Sequence, residues 1–124
     1  MIHQIEDEQS LTQSLGEYNK QFRARGRVWR PATDLVETDA DYRVILEAAG
    51  LCLQDFSISL VRGTLFIHGV RDDVSPTGLP LLAEIPRGEF AVEIRLPGEV
   101  DQAAMVPDYR NGLLTILLPK LEAN

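Results

Sequence analysis

The stretch Asp55-Phe56-Ser57-Ile58-Ser59-Leu60-Val61-Arg62-Gly63-Thr64-Leu65-Phe66-Ile67-His68 decides the fold. Phe56, Ile58 and Leu60 alternate with Ser57 and Ser59, a period of two that turns the apolar side chains to one face of a strand. Val61-Arg62-Gly63-Thr64 is a short turn and Leu65-Phe66-Ile67-His68 the returning strand, so the spacing predicts a hairpin. The same alternation recurs on either side. Tyr42, Val44 and Leu46 alternate with Arg43, Ile45 and Glu47, and Phe90, Val92, Ile94 and Leu96 with Ala91, Glu93 and Arg95. A turn is read over Asp108-Tyr109-Arg110-Asn111-Gly112, leading into the strand Leu113–Leu118. Pro119 ends that strand, because proline has no N–H to donate to a ladder. Short strands at intervals of about 8–12 residues with Gly, Pro and Asx turns predict two packed antiparallel sheets. No helical pattern lies between them to supply the crossovers of a parallel sheet. The predicted class is all-β, an immunoglobulin-like antiparallel β-sandwich with a short N-terminal helix.

That helix is read over residues 10–25. Leu11, Leu15, Tyr18 and Phe22 recur at helical spacing and form one apolar stripe. Ser10 and Gln13 have the spacing of a capping box, Arg23 and Arg25 suit the negative end of the helix dipole, and Gly26 supplies a stop. A single short helix is marginal in water, so the stripe needs a surface to lie against. The chain therefore divides into an N-terminal arm (1–28), a sandwich domain (29–120) and a short tail (121–124). Inside the sandwich, residues 71–87 stand apart: a charged, turn-rich run followed by the apolar Leu81-Leu82-Ala83. A loop this long within a compact domain is usually functional or carries its own element. A short strand reaching toward another subunit is expected there.

Composition narrows the function. The chain has 124 residues, 44% apolar and 25% charged, with a net charge of -7. That is a soluble globular profile, and nucleic acid is an unsuitable partner for so acidic a chain. Residues 1–30 hold four acids and five bases, so the arm is slightly basic and the rest strongly acidic. No apolar run approaches the ~20 residues that span a bilayer, so no membrane partner is expected. Residues 1–8 lack the basic and apolar blocks of a signal peptide. Cys52 is the lone cysteine, so no disulfide forms within the chain, and a reducing, cytoplasmic setting is expected.

The sequence offers no catalytic inventory. There is no glycine-rich phosphate cradle, and the acidic pairs are spaced for turns rather than for a calcium loop. His68 and His3 are the only histidines; they suggest no three-ligand metal site, and His68 is read as a structural histidine at a strand end. Cys52 has no basic neighbour in sequence to activate it and is read as a small buried apolar residue. No cofactor, no metal and no enzymatic activity are expected.

Five pieces in order resemble the small heat-shock protein family and its α-crystallin domain. Trp29-x-Pro31 with Asp34-Leu35-Val36-Glu37-Thr38 and Tyr42-Arg43-Val44 is similar to the domain's opening. Gly50-Leu51 with Asp55-Phe56-Ser57-Ile58, then Leu65-x-Ile67-x-Gly69-x-Arg71, resemble its next strands. Glu84, Gly88-x-Phe90 and Arg95-Leu96-Pro97 with Val100-Asp101 resemble its glycine–phenylalanine strand and following turn. Asn111-Gly112-Leu113-Leu114-Thr115-Ile116-x-Leu118-Pro119-Lys120 is similar to its closing signature. There are departures. Ala49 stands where the family has proline, Val92 where it often has an arginine that stabilises dimers, and Pro107 where alanine is common. The usual C-terminal tail motif I-x-I/V, which docks into a neighbouring subunit, does not follow Lys120.

The resemblance implies an ATP-independent holdase that binds unfolding client proteins through apolar surface and limits their aggregation. It implies a client groove between the strand of Ile58 and Leu60 and the segment of Met105 and Pro107, although Ile58 and Leu60 serve equally well as ordinary core. Leu11, Leu15, Tyr18 and Phe22 are a second candidate client surface, or else a packing stripe. It also implies self-association as a dimer, with Leu79, Leu81 and Leu82 anchoring the loop on a partner subunit, and larger oligomers beyond it. A co-chaperone or scaffold of the same fold serving one folded partner, or a structural assembly component, is the alternative.

Overall fold

The computed structural model describes residues 28–72 and 77–121. The helix read over 10–25 and the tail beyond residue 121 lie outside the described residues. Among those described, the strands are β1 (Thr33–Glu37), β2 (Asp41–Glu47), β3 (Phe56–Val61), β4 (Thr64–Arg71), β5 (Gly88–Arg95), β6 (Val106–Arg110) and β7 (Leu113–Pro119). They form a four-stranded sheet, β1-β2-β7-β6, and a three-stranded sheet, β3-β4-β5. Every pairing is antiparallel. This is the sandwich that the alternating pattern predicts.

The inward faces carry the predicted residues. Phe56, Ile58, Leu65, Ile67 and Phe90 of the smaller sheet and Val44, Leu46, Leu114, Ile116 and Leu118 of the larger one are all sealed from solvent. Each such burial is worth about 1.5–3 kcal/mol. A slip of one residue in any strand would turn its whole set outward, so these side chains fix the register as well as the stability.

Two hairpins close with two-residue turns, Arg62-Gly63 and Asn111-Gly112, all four residues at positive φ. That is the turn whose twist matches the strands it joins. The second corrects a sequence expectation. The turn read over residues 108–112 contracts to Asn111-Gly112, and Val106–Arg110 becomes β6. Because Asn and Gly both accept the left-handed conformation, two residues reverse the chain and the rest are free to pair. The adjacent Val106 and Pro107 hide the alternation.

Gly69 pairs with Phe56 on one side and Phe90 on the other. A Cβ there would lie 2.5 Å from the carbonyl oxygen of Asp55 and 2.6 Å from Cζ of Phe90, so only glycine lets the chains approach this closely. Gly69→Ala is predicted to cost about 1–3 kcal/mol by overpacking, read as a fall in the urea midpoint with m unchanged.

Thr38 organises the β1–β2 connection. Its hydroxyl donates to Oδ1 of Asp41 at 2.7 Å and accepts from the N–H groups of Ala40 at 3.2 Å and Asp41 at 3.0 Å. The Thr38 hydroxyl, opposed by desolvation and helped by the Arg43 guanidinium, holds the Asp41 carboxyl below the ordinary carboxylate range. A lowered folded pKa contributes stability above the unfolded value, and that stability is lost as pH falls through the folded one. Thr38→Val should therefore move the Asp41 titration upward by NMR. The stability gap to the parent should be present at neutral pH and narrow on acidification; an unshifted Asp41 would contradict the role of the hydroxyl.

Candidate functional site

A sandwich has two margins, and here both combine a strand edge from each sheet. On the first, β3 ends the smaller sheet and β6 ends the larger. Phe56 of β3 and Tyr109 of β6 bring their ring centroids to 5.3 Å. The Tyr109 hydroxyl donates to the carbonyl of Ala48 at 2.7 Å and accepts from the N–H of Leu51 at 3.3 Å. This end of the margin is closed.

The other end is open. Leu60, Val100 and Leu121 line a cleft of about 450 Å³, with Arg62, Glu99 and Gln102 at its walls. Leu60 is almost fully buried, whereas Leu121 is 53% exposed. The hydrogen bond from the N–H of Leu121 to the carbonyl of Glu99, at 3.1 Å, holds the end of the described chain beside Glu99. The volume and the apolar floor suit one or two aliphatic side chains, with polar groups to orient the backbone that carries them.

Of the four groove residues read from sequence, Leu60 reaches this cleft. Ile58 lies in the core. Met105 is half-buried and packs against the core, and Pro107 is half-buried on β6 opposite Ile116. Sequence reasoning did not single out Val100, Glu99 or Leu121. Their signal was the Pro97-Gly98-Glu99-Val100 corner, which brings Val100 into a bridge with Lys120. Leu11, Leu15, Tyr18 and Phe22 lie outside the described residues.

On the second margin, β5 ends the smaller sheet and β1 the larger. The edge of β5 is partly occupied: Trp29 forms a parallel bridge to Phe90, and its Nε1 donates to the carbonyl of Gly88 at 3.2 Å. The outer edge of β1 meets no strand among the described residues. Leu35 and Val36 of β1 are also exposed, at 39% and 42%. Adjacent apolar residues in a strand point to opposite faces, so neither face of β1 is sealed.

The long loop leads from β4 into β5, the edge strand of the smaller sheet. Leu79, Leu81, Leu82 and Ile85 are 83%, 93%, 78% and 64% exposed. Residues 77–87 carry no ladder within the single chain; the strand expected in this segment is one that pairs with another subunit. A strand needs an edge to pair with, and these residues pair with none among the described residues. Ile85, not singled out from sequence, belongs to the same apolar group.

Reactive side chains converge nowhere among the described residues, and no cluster of three His, Cys, Asp or Glu is suited to a metal ion. His68 lies within β4, half-buried and opposite Ser57 and Ala91. Cys52 is exposed rather than buried. Leu51 and Leu53 on either side of it pack against the core, and the N–H of Cys52, just before the short 3-10 turn Leu53–Asp55, binds Oδ2 of Asp55 at 2.7 Å.

With its fold, open cleft and bare edge described, the chain belongs to the Hsp20/alpha crystallin family, whose sequence model matches residues 34–124. The small heat-shock proteins that make up this family are chaperones, not enzymes. Small heat shock protein C2 of Rickettsia felis is 31% identical over 94 residues, covering 74% of this chain and 61% of that protein. Heat shock protein 16 of Schizosaccharomyces pombe is 30% identical over 96 residues, covering 74% and 67%. The solved structure of heat shock protein 16.0 from Schizosaccharomyces pombe superposes with a TM-score of 0.70 at 28% identity, covering 76% of this chain and 89% of that one. This chain spans about 60% of the length of the Rickettsia relatives it matches. No helix among the described residues is long and apolar enough to cross a membrane.

Leu121→Asp places a charge at the cleft's mouth on an already exposed residue. It should weaken binding of an apolar fluorescent dye several-fold while leaving the melting temperature within about 2 °C of the parent. Undiminished dye binding would mean that the cleft is not the apolar surface in use.

Proposed function

We propose that the chain is an ATP-independent holdase that captures unfolding proteins through apolar surface the sandwich leaves open. The observation that carries this is the group Leu79, Leu81, Leu82 and Ile85, held out in solvent beside a thoroughly sealed core. A large exposed apolar group on a soluble domain marks an interaction surface. Unfolding clients present matching features, apolar segments and unpaired strand edges. Binding at about 1 μM is worth about 8 kcal/mol. That competes with client aggregation and still allows release. The cleft around Leu60, Val100 and Leu121 takes an apolar side chain of an extended segment. The stripe of Leu11, Leu15, Tyr18 and Phe22 adds client contacts. No cofactor, nucleic acid or membrane enters this scheme, and the setting is cytoplasmic.

The same exposed residues support pairing with a second copy. Among the described residues, the outer edge of β1 pairs with no strand, Leu35 and Val36 are exposed, and residues 77–87 of the loop carry no ladder. Laid along β1 of a partner, the loop of one protomer would become the strand it cannot form alone, with Leu79, Leu81 and Leu82 as its anchors. Pairing through the loop leaves the cleft free for clients. Larger oligomers built from such dimers are part of the proposal.

At a stoichiometric ratio and without nucleotide, the protein should suppress the light scattering of an unrelated heat-denatured enzyme. Scattering equal to that of the enzyme alone would contradict the holdase and favour a scaffold serving one folded partner. Replacing Leu81 and Leu82 together by Ser should turn the dimer into a monomer in sedimentation equilibrium, with the melting profile of the sandwich retained.

A further inference from the structure

Arg71, the last residue of β4, joins two backbone carbonyls and the Trp29 indole, from three separate segments of the chain. Its Nε donates to the carbonyl of Pro86 at 3.2 Å and its Nη2 to the same oxygen at 2.5 Å. Its Nη1 donates to the carbonyl of Ala49 at 3.3 Å, in the link between β2 and β3. Its Cζ stands 4.3 Å from the centroid of the Trp29 indole. Trp29 is itself fixed. Its N–H donates to Glu89 and its carbonyl accepts from Ala91, both at 3.1 Å, and its ring lies 5.4 Å from that of Phe90.

These ties close the root of the long loop. Arg71 and Gly88 are paired across it, and Pro86 lies just inside. Neither Pro80 nor Pro86 has an N–H, so the loop is poor in donors with which to hold its own shape. Above the root, the loop is not packed down: a hollow of about 220 Å³ separates Ile85 from Ala49 and Arg71. The loop is therefore held at its base and free above it.

We infer that Arg71 is a positioning residue for subunit pairing: its guanidinium, clamped between Trp29 and two carbonyls, sets the direction in which Leu79, Leu81 and Leu82 leave the sandwich. This rests on the dimer reading above. A planar fork that donates to two carbonyls while stacking on an indole is specific to arginine, because lysine offers one flexible point of donation. The clamp makes the penalty for losing Arg71 fall on the loop's direction, and hence on affinity for the second copy. The core does not share it.

The test compares the full chain with Arg71→Lys. It measures the dimer dissociation constant by sedimentation equilibrium and backbone amide exchange in both proteins. Arg71→Lys should raise the dissociation constant about tenfold, the scale of one lost hydrogen bond to a charged group. Exchange at residues 77–87 should quicken, with β2 and β7 unchanged. Trp29→Leu, which removes the other jaw, should act in the same direction should the lysine variant fold poorly. Parent-like exchange in the loop, or faster exchange with an unchanged dissociation constant, overturns the inference. A parent that stays monomeric at high concentration overturns the pairing itself, a result readable before any variant is made.

Discussion

A two-layer sandwich buries the faces it turns inward and cannot bury its own edges. Every other feature of this chain follows from that constraint. The facing side chains, from Phe56 and Phe90 on one sheet to Leu46 and Ile116 on the other, are sealed and fix the register of the strands. Four edges remain, and the chain treats each differently. The β3 and β6 edges are joined at one end by the Phe56–Tyr109 contact and left ajar at the other. The β5 edge borrows one residue, Trp29. The outer edge of β1 receives nothing among the described residues.

The edges also differ in what they can accept. Pro107 lies inside β6, where it is tolerated because a missing N–H can face away from the ladder. An incoming strand would lack a partner there, which blunts β6 as a template. Side-chain burial in the cleft is thus the more effective interaction on that margin. β1 has no proline in its span and keeps its donors. It is held by its ladder to β2 and by Lys120, whose Nζ lies 2.7 Å from Oε2 of Glu37 and 5.1 Å from the centroid of the Tyr42 ring. An exposed ion pair of this kind contributes little, so β1 gains most from a second partner.

Strands with one face in the core were legible because burial writes a period of two into the sequence. The residues of β2, β3 and β5 could be read directly for that reason, whereas β4 and β7, with nearly unbroken apolar runs, were read from the turns at Arg62-Gly63 and Asn111-Gly112 that precede them. β1 and β6 could not. Leu35 and Val36 stand side by side because β1 has no sealed face, and β6 sets Val106 beside a proline. The site was less legible than the fold for the same physical reason. Leu60 and Ile58 share one periodic face, yet one lines the cleft while the other is covered by the opposing sheet, a distinction made by three-dimensional overlap alone. The exposure of Cys52 was misread because it was judged by residue type; Leu51 and Leu53 on either side pack against the core and leave Cys52 facing out. The loop anchors were legible as an apolar run in turn-rich surroundings; their lack of a ladder was not.

If the apolar surface left over by the sandwich is the working surface, client should shield it and little else. Hydrogen–deuterium exchange mass spectrometry on the full chain, with and without a heat-unfolded client in excess, measures this directly. Slower exchange in the peptides covering residues 79–87 and 98–102, with β2 and β7 unaltered, is the predicted result. Protection spread evenly over the sandwich, or none while client is demonstrably bound, would contradict it.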